Sequence, residues 1–171
     1  MARIPLPDAS AASVKPLVEE IVSARGGLLE LYHALLHAPP VAAGWLEYLT
    51  SIRSASTLSG RIRELVIMRI AHLNRAPYEA HEHAPIARRE GLSAQQIEGI
   101  ANWHDESSFD ARQRTALAYT DAMTSTVQVT DETFNAVRAE FDARELVELT
   151  ATIAAYNMVS RFLEALEIRP T

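Results

Sequence analysis

From Ala12 onward, apolar residues return every three or four positions, the spacing of one face of an α-helix. Val14, Leu17, Val18, Ile21 and Val22 form the first such stripe, and Gly26 and Gly27 interrupt it. A second apolar stretch runs from Leu28 to His37 and is stopped by Pro39 and Pro40. A further helix is expected from Val41 to about Ser54, carrying Trp45, Leu46 and Leu49. The segment Ser59 to Asn74 differs from these. It is apolar almost all round from Ile62 to Leu73, which predicts a central, buried helix. Pro77 suits the first position of the next helix, Gly91 its C-terminal stop, and Ser93 with Gln96 the capping box of the one after. Past a polar loop at 104–110, helices are expected over 111–124, from Thr130 to about Phe141, and from the Asp142/Glu145 pair to about Ile168. No segment alternates with period two, and no hairpin dipeptide occurs. The pattern predicts an all-α fold of about six to eight helices: one domain over residues 12–171, preceded by an irregular arm over residues 1–11 in which Pro5 and Pro7 disfavour helix.

The polar residues that break this pattern are the candidates for chemistry. Glu64 sits inside the almost wholly apolar helix, where a carboxylate is costly unless paired, hydrogen-bonded or protonated. Its bland explanation is a buried ion pair with Arg69 or another arginine. Downstream, Tyr78, Glu79, His81, Glu82 and His83 crowd the start of the following helix. Glu79 and His83 are four apart and share a face, as do Tyr78 and His81, three apart. Pro85 frees the carbonyl of His81 and is expected to bend the helix beside them. Groups that titrate near neutral pH and groups able to orient them thus fall together. The alternative is an ordinary wet helix face with a Glu79–His83 surface pair. Asn157, in an otherwise apolar last helix, needs partners if buried, and Arg161 follows one turn later. It lines a pocket or, by preference, serves a structural or interface role.

Composition narrows the function. The 171-residue chain carries a net charge of −6, against a generic nucleic-acid binder. It has no cysteine, so thiolate nucleophiles, disulfides and zinc–thiolate sites are excluded. No apolar run reaches membrane-spanning length, and the first residues lack a secretory core, so a cytoplasmic location is the default expectation. Trp45, Tyr48 and Trp103 are read as core or interface anchors, and Met68, Met123 and Met158 as packing. Glu64, Glu79 and His83 make a conceivable facial metal set, but no metal is assigned.

The run R-E-L-V-I-M-R-I-A at residues 63–71, Ala76-Pro-Tyr-Glu-Ala-His-Glu-His83, and Ala87 to Ser93 resemble the carboxymuconolactone decarboxylase / alkylhydroperoxidase D-like (AhpD-like) family. The likeness is strongest over the central third. In peroxidase-type relatives a glutamate lies at the Glu64 position, two cysteines at the Ala76 and Glu79 positions, and a histidine at the His83 position. Both redox positions are lost here, while Glu64, Tyr78 and His83, the proton-relay part, remain. The resemblance therefore implies an AhpD-like helical fold of the cysteine-free branch and an acid–base enzyme without a cofactor, a carboxy-lyase of carboxymuconolactone decarboxylase type.

On that reading His83 is the general acid/base, and Glu64 or Glu79 is its partner. Tyr78 donates to a developing oxyanion, and Arg69 and, more weakly, His81 serve the substrate, a small carboxylate or lactone. The resemblance also implies a homo-oligomer, a trimer or hexamer, with a dimer as the alternative. Two other functions stay open: a cofactor-free hydrolase or hydratase on a ring or lactone, and a non-catalytic oligomer that kept the fold.

Overall fold

The computed structural model describes residues 2–170, and these form an all-α fold. Nine α-helices lie among the described residues, one beyond the range expected: α1 Lys15–Arg25, α2 Glu30–Leu35, α3 Pro39–Thr50, α4 Gly60–Leu73, α5 Pro77–Arg89, α6 Ala94–Gly99, α7 Ala111–Ser125, α8 Asp131–Glu140 and α9 Ala143–Leu166. A π-helical turn, Ser51–Ala55, continues α3, and a 3₁₀ turn, Ile100–Asn102, continues α6.

The elements begin and end where local chemistry dictates. Ser93, Asp110 and Asp142 each accept from the backbone N–H three residues on, and Gln96, Gln113 and Glu145 reciprocate. Gly91, just past α5, adopts a φ of 94°, the left-handed region a glycine tolerates without strain. Pro39 and Pro40, expected to stop one helix, instead open α3. At the first positions of a helix the missing proline N–H has no intrahelical partner to lose. The α-helix expected to reach Ser54 ends at Thr50 and widens into the π-helical turn.

The centre of the fold is α4. Every residue from Ile62 to Ala71 is buried, Arg63, Glu64 and Arg69 included. It packs against α5, α7 and α9. Those helices cover all its faces, and this is why its sequence has no polar face. The N-terminal segment is strapped across the outside: Arg3 N–H donates to the Leu166 carbonyl, and His33 and His37 bond the carbonyls of Pro7 and Pro5. Among the described residues no helix is long and apolar enough to cross a membrane.

Candidate active site

Glu64 projects from α4 and is fully buried. Its Oε2 lies 2.7 Å from His83 Nδ1 on α5, and its Oε1 accepts from Arg63 Nε at 3.1 Å. Burial pushes the Glu64 carboxyl up, but the His83 contact and the Arg63 charge together hold it below its ordinary value. An ionised Glu64 accepts from Nδ1–H. In neutral His83 this leaves Nε2 with a free lone pair, and that nitrogen has no hydrogen-bond partner among the described residues. The edge of Tyr156, on α9, packs against the imidazole with ring centroids 5.0 Å apart.

Glu79 lies one turn before His83 on α5 and has the opposite environment. It is 2% exposed. Ser160 Oγ, on α9, donates to its Oε2, while Oε1 is buried without a partner. Burial raises its pKa to about 8, against the Ser160 bond and with help from Glu164. At neutral pH Glu79 is therefore a carboxylic acid with a hydrogen to give. Two buried carboxyl groups, Glu64 on α4 and Glu79 on α5, are thus split by their surroundings, one ionised and one protonated.

Both His83 and Glu79 line a cavity of about 160 Å³. Tyr78 and Tyr156 stand with them on its polar side, and Leu29, Leu31, Leu49, Val159 and Leu163 are on its apolar side. Tyr78 is buried, its hydroxyl set near the backbone N–H groups of Glu30 and Leu31 at the start of α2. Burial and the charge of Glu82 raise its pKa to about 12, so it keeps its proton. Burial likewise raises the Tyr156 phenol.

The structure brings Glu64, Tyr78, Glu79 and His83 together and leaves two other candidates outside. Arg69 is five residues beyond Glu64, a rotation of roughly 140° around the helix. It lies on another face, in a two-pronged pair with Asp121 (2.6 and 2.9 Å) and bonded to the carbonyls of Ile100 and Ala101. The buried ion pair anticipated between Glu64 and Arg69 or another arginine is accordingly made with Arg63. His81 is exposed and does not line the cavity. Pro85 is exposed as well, and α5 runs through it. The carbonyl it frees belongs to the wet side and does not shape the pocket. Asn157 is structural within the chain: it bonds Thr124, the Ile153 carbonyl, Asn74 and Arg161. Of the two positions that hold cysteine in peroxidase-type relatives, Glu79 lines the cavity and Ala76 does not. Among the described residues no group of three or more His, Asp or Glu side chains is placed to hold a metal ion.

Sequence reasoning missed Tyr156 and Ser160. Their signal was present: Thr152, Tyr156 and Ser160 recur every four residues on α9, a polar stripe inside an apolar helix.

Residues 39–122, from the start of α3 to the last turn of α7, match the Carboxymuconolactone decarboxylase family. The chain belongs to this family. The matched stretch carries Glu64, Tyr78, Glu79 and His83, while Tyr156 and Ser160 lie beyond it. A relative from Escherichia coli, YnjA, is 33% identical over 127 residues, which are 73% of this chain and 66%, just under two thirds, of that protein. Solved structures share the family's fold. A peroxidase-related protein from Silicibacter sp. superposes with a TM-score of 0.85 at 19% identity, over 99% of this chain and 92% of that one. A cysteine-to-alanine variant of the debrominase Bmp8, with 2,3,4-tribromopyrrole bound, superposes with a TM-score of 0.81 at 17% identity, over 96% and 89%.

Proposed function

We propose that this protein is an acid–base enzyme needing no cofactor, which moves a proton to or from carbon in a small carboxylate or lactone. Decarboxylation of carboxymuconolactone type is the leading reaction. The observation that carries the reading is the division of labour on one cavity: a histidine whose outer nitrogen has no hydrogen-bond partner, beside a carboxylic acid whose second oxygen has none either. Titratable groups driven apart by their surroundings mark the acid and the base of a proton-transfer site.

In a decarboxylation the bond from the substrate's carboxylate carbon breaks, its electron pair passes into a conjugated carbonyl, and carbon dioxide leaves. Tyr78 and Glu79 donate hydrogen bonds to the oxygen that gains charge. A proton then reaches carbon from Glu79 or from His83, and Glu64 holds the imidazole in orientation and stabilises its charged form. In an isomerisation His83 Nε2 takes a proton from one carbon and returns it to another through the same enolate. The cavity is close to the size of an engineered apolar site of about 150 Å³ that takes up benzene. The bound ring in the debrominase of this fold supports the same ligand size.

The test is a set of unsaturated lactone acids and keto acids incubated with the protein in D₂O. Carbon dioxide release and deuterium incorporation are followed by NMR. Turnover that disappears in His83→Ala and Glu64→Gln is expected. Equal turnover in the variants would falsify the assignment.

A further inference from the structure

Three guanidinium groups, Arg25, Arg53 and Arg89, line the cavity that holds His83 and Glu79. In a chain of net charge −6 this is an uneven placement. The carboxyl groups on the same wall are Glu79, protonated at neutral pH, and Glu82. The donors of Arg25 go to neutral partners: the Tyr32 hydroxyl at 3.1 Å, the Leu46 carbonyl at 3.3 Å and Thr50 Oγ1 at 2.9 Å. Arg53 and Arg89 make no side-chain hydrogen bond or ion pair among the described residues. The cavity is thus positive on balance, and two of its three cations are free to bind.

Arg53 is also the residue that the local backbone is built to present. It sits in the middle of the π-helical turn Ser51–Ala55, between Ile52, buried in the core, and the segment Ser56–Leu58. Turns of this kind occur often at functional sites. Glu148 holds the following segment from α9: its Oε2 accepts from Ser56 Oγ (2.9 Å), Thr57 N–H (2.8 Å), Thr57 Oγ1 (2.8 Å) and Leu58 N–H (2.9 Å). From the other side, Arg63 donates to the Arg53 carbonyl at 3.2 Å while its Nε holds Glu64. One arginine therefore fixes the backbone of Arg53 relative to the Glu64–His83 pair.

We propose that Arg53, seconded by Arg89 at the rim, is the anion anchor of this cavity and grips a carboxylate of the ligand. The remainder of the ligand then lies against His83 and Glu79. The proposal rests on reading the cavity as a ligand site, and it gives Arg53 the substrate-binding part that the sequence assigned to Arg69. A planar guanidinium fork matches a carboxylate with two parallel bonds, which a neutral amide of the same shape cannot return.

The experiment titrates the full-length protein with benzoate and with benzamide, followed by NMR line shifts and calorimetry. Benzoate should bind at least about tenfold more tightly than benzamide, the size of a charge-assisted bond. Arg53→Gln should remove that preference, weakening benzoate by about tenfold or more while leaving benzamide within about twofold. Arg53→Lys should retain part of it. Arg89→Gln should give a smaller loss in the same direction. Arg53 is partly exposed and without internal partners, so its variants should melt as the parent does. Equal affinity for the two probes, or an Arg53→Gln variant that binds benzoate as the parent does, overturns the anchor while leaving the cavity a ligand site. Binding of neither probe overturns both.

Discussion

Two buried polar clusters flank α4, and they are built on opposite principles. On one side Arg69, Asp121 and Trp103 close on themselves. The arginine gives two hydrogen bonds to the aspartate and two to backbone carbonyls, and Trp103 Nε1 adds a third to Asp121 at 3.0 Å. On the other side two bonded pairs, Glu64 with His83 and Glu79 with Ser160, meet the cavity, with His83 Nε2 and Glu79 Oε1 unpartnered. Both clusters contain a charge that would be intolerable alone in an apolar core. The closed one uses its bonds to hold helices together. The open one keeps capacity in reserve, which lowers stability and is of use only if a ligand completes it.

The largest effect that tests this contrast should fall on the open cluster. His83→Ala should lower turnover of a genuine substrate by about 10²- to 10⁴-fold, the range of a lost general acid or base. The same variant should still fold, as shown by an unchanged helical circular dichroism spectrum. Next comes the closed cluster. Asp121→Ala leaves Arg69 buried without its carboxylate and should lower unfolding free energy in urea by about 3 kcal/mol or more. Benzoate affinity in the still-folded protein should not change. If Asp121→Ala instead altered binding with little loss of stability, the clusters would have been assigned the wrong way round.

A pH dependence separates the two carboxyl groups of the open cluster. The pKa of folded Glu79, about 8, stands above its ordinary 4.5. Folding therefore favours the protonated form, and the unfolded chain loses its proton first. Stability associated with Glu79 is fully present below about pH 4.5 and declines as pH rises toward about 8. The steepest slope is about 1.4 kcal/mol per pH unit. Glu79→Gln, neutral and of similar shape, should remove that decline in urea melts at several pH values. An unchanged slope would show that Glu79 is ionised in the folded protein. The smallest effect belongs to His81. Exposed and away from the cavity, it should change stability by less than about 0.5 kcal/mol on replacement by alanine, with turnover unchanged.

What could be read from the chain follows the range of the forces involved. The helices, their caps at Ser93 and Asp142 and the buried character of α4 rest on interactions within a few residues, so they were legible. So was the grouping of Tyr78, Glu79 and His83, which one helix start brings together by itself. The departures were also local in origin but ambiguous in sign: Pro39 and Pro40 can end a helix or begin one, and α3 could not be foreseen to widen into a π-helical turn. Arg53 gave no signal, since an arginine near a helix end reads as surface.

By itself, then, the sequence determined an all-α chain of the carboxymuconolactone decarboxylase family, without thiols, carrying a carboxylate in its central helix and a histidine on the next. Only the tertiary structure decided which charges meet. Glu64 takes His83 and Arg63, while Arg69 is turned to Asp121, because the angle between packed helices sets which faces touch. Ser160 reaches Glu79 across 81 residues of chain. The protonation of Glu79 follows from that burial and from no property of its neighbours in sequence. A side chain's partners within one helix are fixed by periodicity. Its partners across helices, and the bonds left open at a cavity, are fixed by how the whole chain packs.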